Sequence, residues 1–381
     1  MDKALLTDWL RLVHTPGLGP ATLSHLVRRM GGFAAVLTSA PAKVAAQVNG
    51  RAALRETLER FRHDTPLEPH AQEVERLHAM GGRMLVIGEA DYPPLLAAIH
   101  DPPPVLFTLG NVALLASEGM VTVTGTRRAS RAALTFAQRL GGDLARHDVV
   151  TVSGLSSGID AAAHRGALEA DGPTVAVLVT GLDVAYPSAS RELQQKIARA
   201  GCLVSESPLG SLPVPWLFPA RARILSGLSR GVVIVEAAER SGSLIAARMA
   251  LEQGREVFAV PGLTNDPKTR GTHDLLRQGA RLTEGVEDVL AELNWPLRPP
   301  LAPLQAPCAV AEPAPLAGAE ATAVLERISA GPMHEDELAR CCQLTVISLS
   351  RILLQLELSG LVERLPGGRY ARVTGTGSGG S

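Results

Sequence analysis

Five apolar runs in the middle of the chain each end in a turn of small residues, hydroxyls or arginines. Val121 to Thr124 opens into Gly125-Thr126-Arg127-Arg128-Ala129-Ser130, and Val149 to Ser153 into Gly154-Leu155-Ser156-Ser157-Gly158-Ile159-Asp160. Thr174 to Thr180 opens into Gly181-Leu182-Asp183 with Tyr186-Pro187, Gly231 to Val235 into Glu236 with Ser241-Gly242-Ser243, and Val257 to Val260 into Pro261-Gly262. Glycine turns bare their amides, and a turn that leads into a helix holds those amides at the positive end of the helix dipole, where anions are favoured. Arg127 adds a planar fork that matches a phosphate in two places. The chemistry on offer is anion recognition. Nucleophiles and bases are scarce in these turns.

Other readings of the same residues fail on spacing. A dinucleotide site wants Gly-x-Gly-x-x-Gly and an acid after the second strand, where Ser153 stands, and a Walker-type loop wants Gly-Lys-Ser/Thr, which does not occur. Asp160 and His164 share a helix face at i, i+4 and suggest an acid–base or metal pair, but no third ligand stands at a recognisable spacing. The favoured reading has Asp160 cap its helix and orient His164 against the glycine loop. Arg221 and Arg223 precede an apolar helix beside Trp216 and Phe218. Aromatics are only 3% of the chain, so Tyr186, Trp216 and Phe218 in the turns suit stacking on unpaired bases, with plugs for the core beneath the loops as the alternative.

Strands alternating with helical segments predict a doubly wound parallel α/β sheet, and in such sheets the loops after the strands' carboxyl ends gather on one edge. Before the sheet, residues 1–80 read as helices around Pro16-Gly17-Leu18-Gly19-Pro20, similar to a sterile-alpha-motif or helix-hairpin-helix module. That turn offers amides to a phosphate or is an ordinary interhelical turn. The sheet domain is expected over 81–292 and a proline- and alanine-rich linker over 293–318. A winged helix-turn-helix follows over 319–373, then a Gly/Ser tail over 374–381. Its second helix carries Arg351 as its only cation, with Glu357 against it, which favours protein contact or regulation over duplex-DNA reading.

At 381 residues, 46% hydrophobic and net charge −1, the chain is expected to be soluble, and no overall basicity argues for nucleic acid. Local charge differs. Gly119 to Gly142 holds Arg127, Arg128, Arg131 and Arg139, and Ser207 to Val235 holds Arg221, Arg223 and Arg230, both without an acid. They form a positive patch if both feed the sheet edge, or scatter over solvated helix faces. Neither a membrane-length apolar run nor a signal-peptide core is visible, which points to the cytoplasm. Cys202, Cys308, Cys341 and Cys342 lack metal-ligand spacing and read as reduced thiols.

The ordered set of motifs resembles the DNA-processing protein A (DprA, also called Smf) family over about Asp91 to Asp288. It rests on Thr124-Gly125-Thr126-Arg127, Ser153-Gly154-Leu155 with Gly158-Ile159-Asp160, Gly181-Leu182-Asp183 with Tyr186-Pro187, Phe218-Pro219-Ala220-Arg221, Arg223-Ile224 with Gly227-Leu228-Ser229, Ser241-Gly242-Ser243-Leu244, and Gly254 through Gly262. The resemblance implies a Rossmann-like, cytoplasmic, non-catalytic protein of natural transformation and competence, without cofactor or metal. It also implies a homodimer that binds incoming single-stranded DNA, shields it and loads the RecA recombinase. Single-strand-binding protein, or duplex DNA at the winged helix, are further partners to consider.

The DNA-binding set expected from these motifs is Gly125, Thr126, Arg127, Arg128, Ser153, Gly154, Ser156, Ser157, Gly158, Tyr186, Phe218, Arg221, Arg223, Ser241, Gly242 and Ser243. Ser157 stands where the family usually has a cation, Ala222 and Ser190 where it often has Asn, and His273 where Asn follows Gly-Thr. Arg128, Arg131 and Arg191 are the candidates to replace the cation. The alternative function is a phosphoribohydrolase-like enzyme, whose glycine loop and catalytic glutamate Glu236 with Ser241-Gly242-Ser243 echo only loosely.

Overall fold

The structure is a computed structural model that describes residues 3–16, 18–48, 51–64, 67–296, 319–328, 331–358, 361–365 and 369–373. Gly17, Cys308, most of the expected linker (297–318) and the tail (374–381) lie outside the described residues, as does the side chain of Arg351. The chain divides into two compact units, Met1–Leu301 and Ala302–Ser381.

The first unit is built on nine strands: β1 (Gly82–Val86), β2 (Val105–Gly110), β3 (Met120–Thr124), β4 (Val150–Ser153), β5 (Thr174–Val177), β6 (Cys202–Ser205), β7 (Gly231–Ile234), β8 (Glu256–Ala259) and β9 (Arg281–Leu282). Their order is β1-β2-β6-β5-β4-β3-β7-β8-β9. From β6 to β9 all neighbours are parallel, and β3, β4, β5, β6 and β7 are buried along their whole length. Strands covered by helices on both faces read as unbroken apolar runs, which is why these runs were visible in the sequence. The sheet is not wholly parallel, however. β1 and β2 pair antiparallel with each other, and β2 pairs antiparallel with β6. Thr174 to Thr180 also yields a shorter strand than expected, because the chain leaves the ladder after Val177.

The helices of the first 80 residues share a core with this antiparallel edge. Trp9 is fully buried and donates its indole N–H to the Pro104 carbonyl at 3.0 Å, and Leu10, Leu23, Leu26 and Leu77 join Leu85 and Phe107 in one cluster. Leu18, from the first interhelical turn, is buried. No helix among the described residues is long and apolar enough to cross a membrane.

After β3 and β4 run the helices Arg131–Arg146 and Ile159–Glu169, which meet backbone to backbone. A Cβ on Gly141 would collide with the Ala163 carbonyl, one on Gly166 with the Gln138 carbonyl, and one on Gly142 would lie 3.2 Å from the Gly166 carbonyl. Mid-helix glycines cost about 1 kcal/mol each relative to alanine. Here the close approach of the two helices requires them.

The second unit has helices Ala319–Ile328, Glu335–Cys341 and Val346–Leu358 and three strands, β10 (Met333–His334), β11 (Val362–Leu365) and β12 (Arg369–Arg372), in the order β10-β12-β11. Val324, Leu338, Leu349, Ile352, Leu356, Val362 and Tyr370 form its core. This is the expected winged helix, with a short third strand that the sequence did not signal.

Candidate nucleic-acid interface

The strand order reverses between β3 and β7. β3 to β6 step outward in one direction, and β7 returns to the other side of β3. Ligands of doubly wound sheets bind in the crevice outside the carboxyl ends at such a point. A cavity of about 380 Å³ lies there, lined by Thr124 to Arg128 after β3, Ser156 and Asp160 after β4, and Ser241 to Ser243 with Ile245 and Ala246 after β7. The helix Leu217–Leu228 closes it with Phe218, Arg221, Ala222 and Leu225, at i, i+3, i+4 and i+7 on one helical face.

Each loop is fixed by backbone chemistry. The Thr126 amide donates to the Glu236 carbonyl at 2.8 Å, and the Arg128 amide to Thr126 Oγ1 at 3.3 Å. A Cβ on Gly125 would lie 2.8 Å from that same Glu236 carbonyl. Gly158 has φ +85°, and a Cβ there would press on the carbonyls of Thr126 and Arg127, so the loops after β3 and β4 interlock at a position only glycine fits. Ser241 Oγ and Ser243 Oγ share a hydrogen bond at 2.8 Å ahead of the helix Leu244–Glu252.

Arg221 is the central cation. Its side chain is 13% exposed, and among the described residues its Nε, which is buried, has no hydrogen-bond partner. Its ion pair with Asp160 is long, at 3.9 Å. Burial pushes its pKa below the ordinary guanidinium value, against the pull of Asp160 and with a further push from Arg127. The group stays protonated nonetheless, so the cavity holds a desolvated cation with incomplete compensation. Asp160 is 2% exposed and is itself occupied: it accepts the Thr124 hydroxyl at 2.8 Å and the Ser156 amide at 3.3 Å. Arg127, exposed, lies over the Phe218 ring at 4.8 Å, Arg221 lies over it at 5.6 Å, and Tyr186 meets it edge on at 6.4 Å.

Several expected site residues are placed elsewhere. Arg223 points away from the cavity: two residues from Arg221, it sits on another side of the helix. It is 6% exposed, with a two-pronged ion pair to Glu206 at 2.7 and 2.8 Å and a contact to the Asp101 carboxylate at 3.1 Å. Ser153 is fully buried and donates to the Val123 carbonyl at 2.6 Å. Gly154 lies beneath the guanidinium, where a Cβ would strike Arg221 Nη1. Ser157, Gly158 and Tyr186 do not line the cavity, although Ser157 and Tyr186 are exposed. Ser190 Oγ donates to the Leu155 carbonyl at 3.2 Å, which brings the backbone of exposed Arg191 beside the loop that carries Ser157. Not every arginine of the acid-free segments feeds this edge. Arg230 precedes β7 and lines a cavity at the sheet's opposite end, and Arg139 donates to the Glu284 carbonyl.

Nor does Asp160 orient His164. The helix N-cap is Gly158, and His164 bonds the Gly154 carbonyl and Thr174 Oγ1, both at 2.7 Å. The carbonyl can only accept, so Nε2 carries the proton. Burial pushes the pKa of His164 down to about 4. The unfolded chain, with histidine near 6.5, binds more protons between those values, so stability is complete above about pH 6.5 and falls by roughly 3 kcal/mol towards pH 4. His14, also lowered to about 4 by burial and then by His70, acts in the same direction. Urea midpoints are expected to show the gap between parent and His164→Asn shrinking on acidification. A gap independent of pH would contradict the buried neutral imidazole.

Glu236 is 3% exposed and spends its carboxylate on the Ser130 amide at 3.0 and 3.3 Å, at the start of the helix Arg131–Arg146. It does not line the cavity. No cluster of three or more His, Cys, Asp or Glu suited to a metal occurs among the described residues. The sequence reading missed Thr124, Asp160, Ala222, Leu225, Ile245 and Ala246 as lining residues; the i, i+4 and i+7 spacing from Phe218 and Arg221 was the signal for Ala222 and Leu225.

The family described as DNA recombination-mediator protein A matches residues 83–294. The chain belongs to that family. The DprA winged helix domain matches residues 308–368. Among DprA relatives, the DNA processing protein DprA of Bacillus subtilis is 39% identical over 242 residues, 64% of this chain and 80% of that one. The DprA of Streptococcus pneumoniae is 44% identical over 204 residues, 54% of this chain and 72% of that one. The solved Streptococcus pneumoniae DprA matches with TM-score 0.66 and 33% identity, covering 78% of this chain and 99% of that one. DNA processing protein A of Helicobacter pylori, whose structure concerns its single-stranded DNA binding mode, matches with TM-score 0.51 and 30% identity over 56% of this chain and 95% of that one.

Proposed function

We propose that the crevice between β3 and β7 binds single-stranded DNA, and that the protein is a binder without catalytic turnover. The observation that carries this is Arg221, a nearly buried guanidinium facing an open cavity with, among the described residues, only a long ion pair to balance it. A phosphodiester supplies the missing charge. Around it stand the loop after β3, the hydroxyls of Ser241 and Ser243, and Arg127 and Arg128 at the rim. The single-strand binding described for the Helicobacter pylori relative supports the choice of ligand. The enzyme reading loses its base, since Glu236 is bound to a backbone amide and His164 is enclosed.

By the family resemblance, the protein acts in the cytoplasm during natural transformation, shields incoming single strands as a symmetric homodimer and passes them to RecA. Two crevices on one strand gain from effective concentration where a single crevice binds moderately. Fluorescence titration of a labelled single-stranded oligonucleotide at several salt concentrations, with a duplex of equal length alongside, tests the binding. The single strand should bind more tightly, with log K falling linearly in log salt. Equal or tighter duplex binding would refute the reading. A monomer at micromolar concentration that fully stimulates RecA would refute the dimer.

A further inference from the structure

Resting on that function, we infer that Trp216 is a stacking platform for the base next to the nucleotide in the cavity. An unpaired strand binds best where cations meet its phosphates and free aromatic faces meet its bases. Phe218, the ring in the cavity wall, is already engaged, with two guanidinium groups over it and the Tyr186 ring against it. Trp216 is 72% exposed, and among the described residues no ring or cation contact engages it.

Its position follows from the backbone. Trp216 is the N-cap of the helix Leu217–Leu228, two residues before Phe218, so their Cα atoms lie within about 7 Å. Pro213 and Pro215 restrict the segment that presents it, and the Leu217 amide closes a turn on the Val214 carbonyl at 3.1 Å. A large apolar ring held in water beside a cationic cavity recovers its solvation cost when a base covers it. The chain has three tryptophans. Trp9 is fully buried and Trp295 is half-buried with its indole bonded to the His147 carbonyl, so Trp216 is the exposed reporter.

The test is tryptophan emission during titration of the full chain with unlabelled oligo(dT), repeated with Trp216→Phe and Trp216→Ala. Emission from the parent should be quenched in proportion to occupancy, and the quenching should vanish in Trp216→Phe. Trp216→Ala should bind roughly tenfold more weakly, and Trp216→Phe closer to the parent. Both should keep the parent's salt slope, since the ring meets no phosphate. Binding with unchanged emission and unchanged affinity in Trp216→Ala would overturn the platform and leave the crevice reading intact. Failure of the parent to bind any single strand would overturn both.

Discussion

The double variant Arg127→Ala/Arg221→Met is expected to bind a single strand at least about a hundredfold more weakly than the parent, because each lost charge-assisted hydrogen bond is worth about 1.5–3 kcal/mol. Its plot of log K against log salt should flatten by about 1.4, roughly 0.7 for each phosphate neutralisation removed. Methionine keeps most of the volume of Arg221 while taking away a charge whose ion pair with Asp160 spans 3.9 Å. Asp160 retains its bonds from Thr124 and Ser156, so the urea midpoint should move little. A folded double variant with the parental slope would remove the crevice from consideration.

Arg223→Ala should behave in the opposite manner. Removing one partner of a largely buried ion pair leaves the other charge unsatisfied and costs about 3–5 kcal/mol. Glu206 keeps some contact with water, its side chain being 25% exposed, which places the expected loss towards the lower figure. The urea midpoint should fall, while the salt slope of the folded fraction stays parental. A stable Arg223→Ala protein with weakened binding and a flatter slope would instead return Arg223 to the phosphate track. The two experiments separate neighbouring arginines by what each is paired with.

Much of this was readable beforehand, for identifiable reasons. Strands β3, β4, β5, β7 and β8 are short apolar runs with glycine or hydroxyl turns behind them, and the loops launched by β3, β4 and β7 form walls of the cavity. The antiparallel edge was less legible, since Cys202 to Ser205 is four residues long and its pairing with β2 is a long-range choice no local pattern encodes. Charge pattern placed Arg221 and Arg223 together because it counts residues and ignores the helix. At i and i+2 they cannot face the same way, and Glu206, fifteen residues before Arg221, is the acid that claims Arg223. Asp160 and His164 do share a face. They nonetheless serve different partners, because Thr124 and Thr174 come from strands distant in sequence.

The glycine seam between the helices Arg131–Arg146 and Ile159–Glu169 bears on how a ligand enters. Backbones in contact at Gly141, Gly142 and Gly166 cannot slide past one another, and the loops ahead of those helices are joined again where Gly158 meets Thr126 and Arg127. The two walls therefore move as one body. A receptor whose competent conformer is nearly its whole population loses almost none of its intrinsic affinity to conformational selection. Encounter with the strand should accordingly be a single kinetic phase, its rate proportional to DNA concentration with no plateau from a prior isomerisation, and differences in affinity among variants should reside in the escape rate.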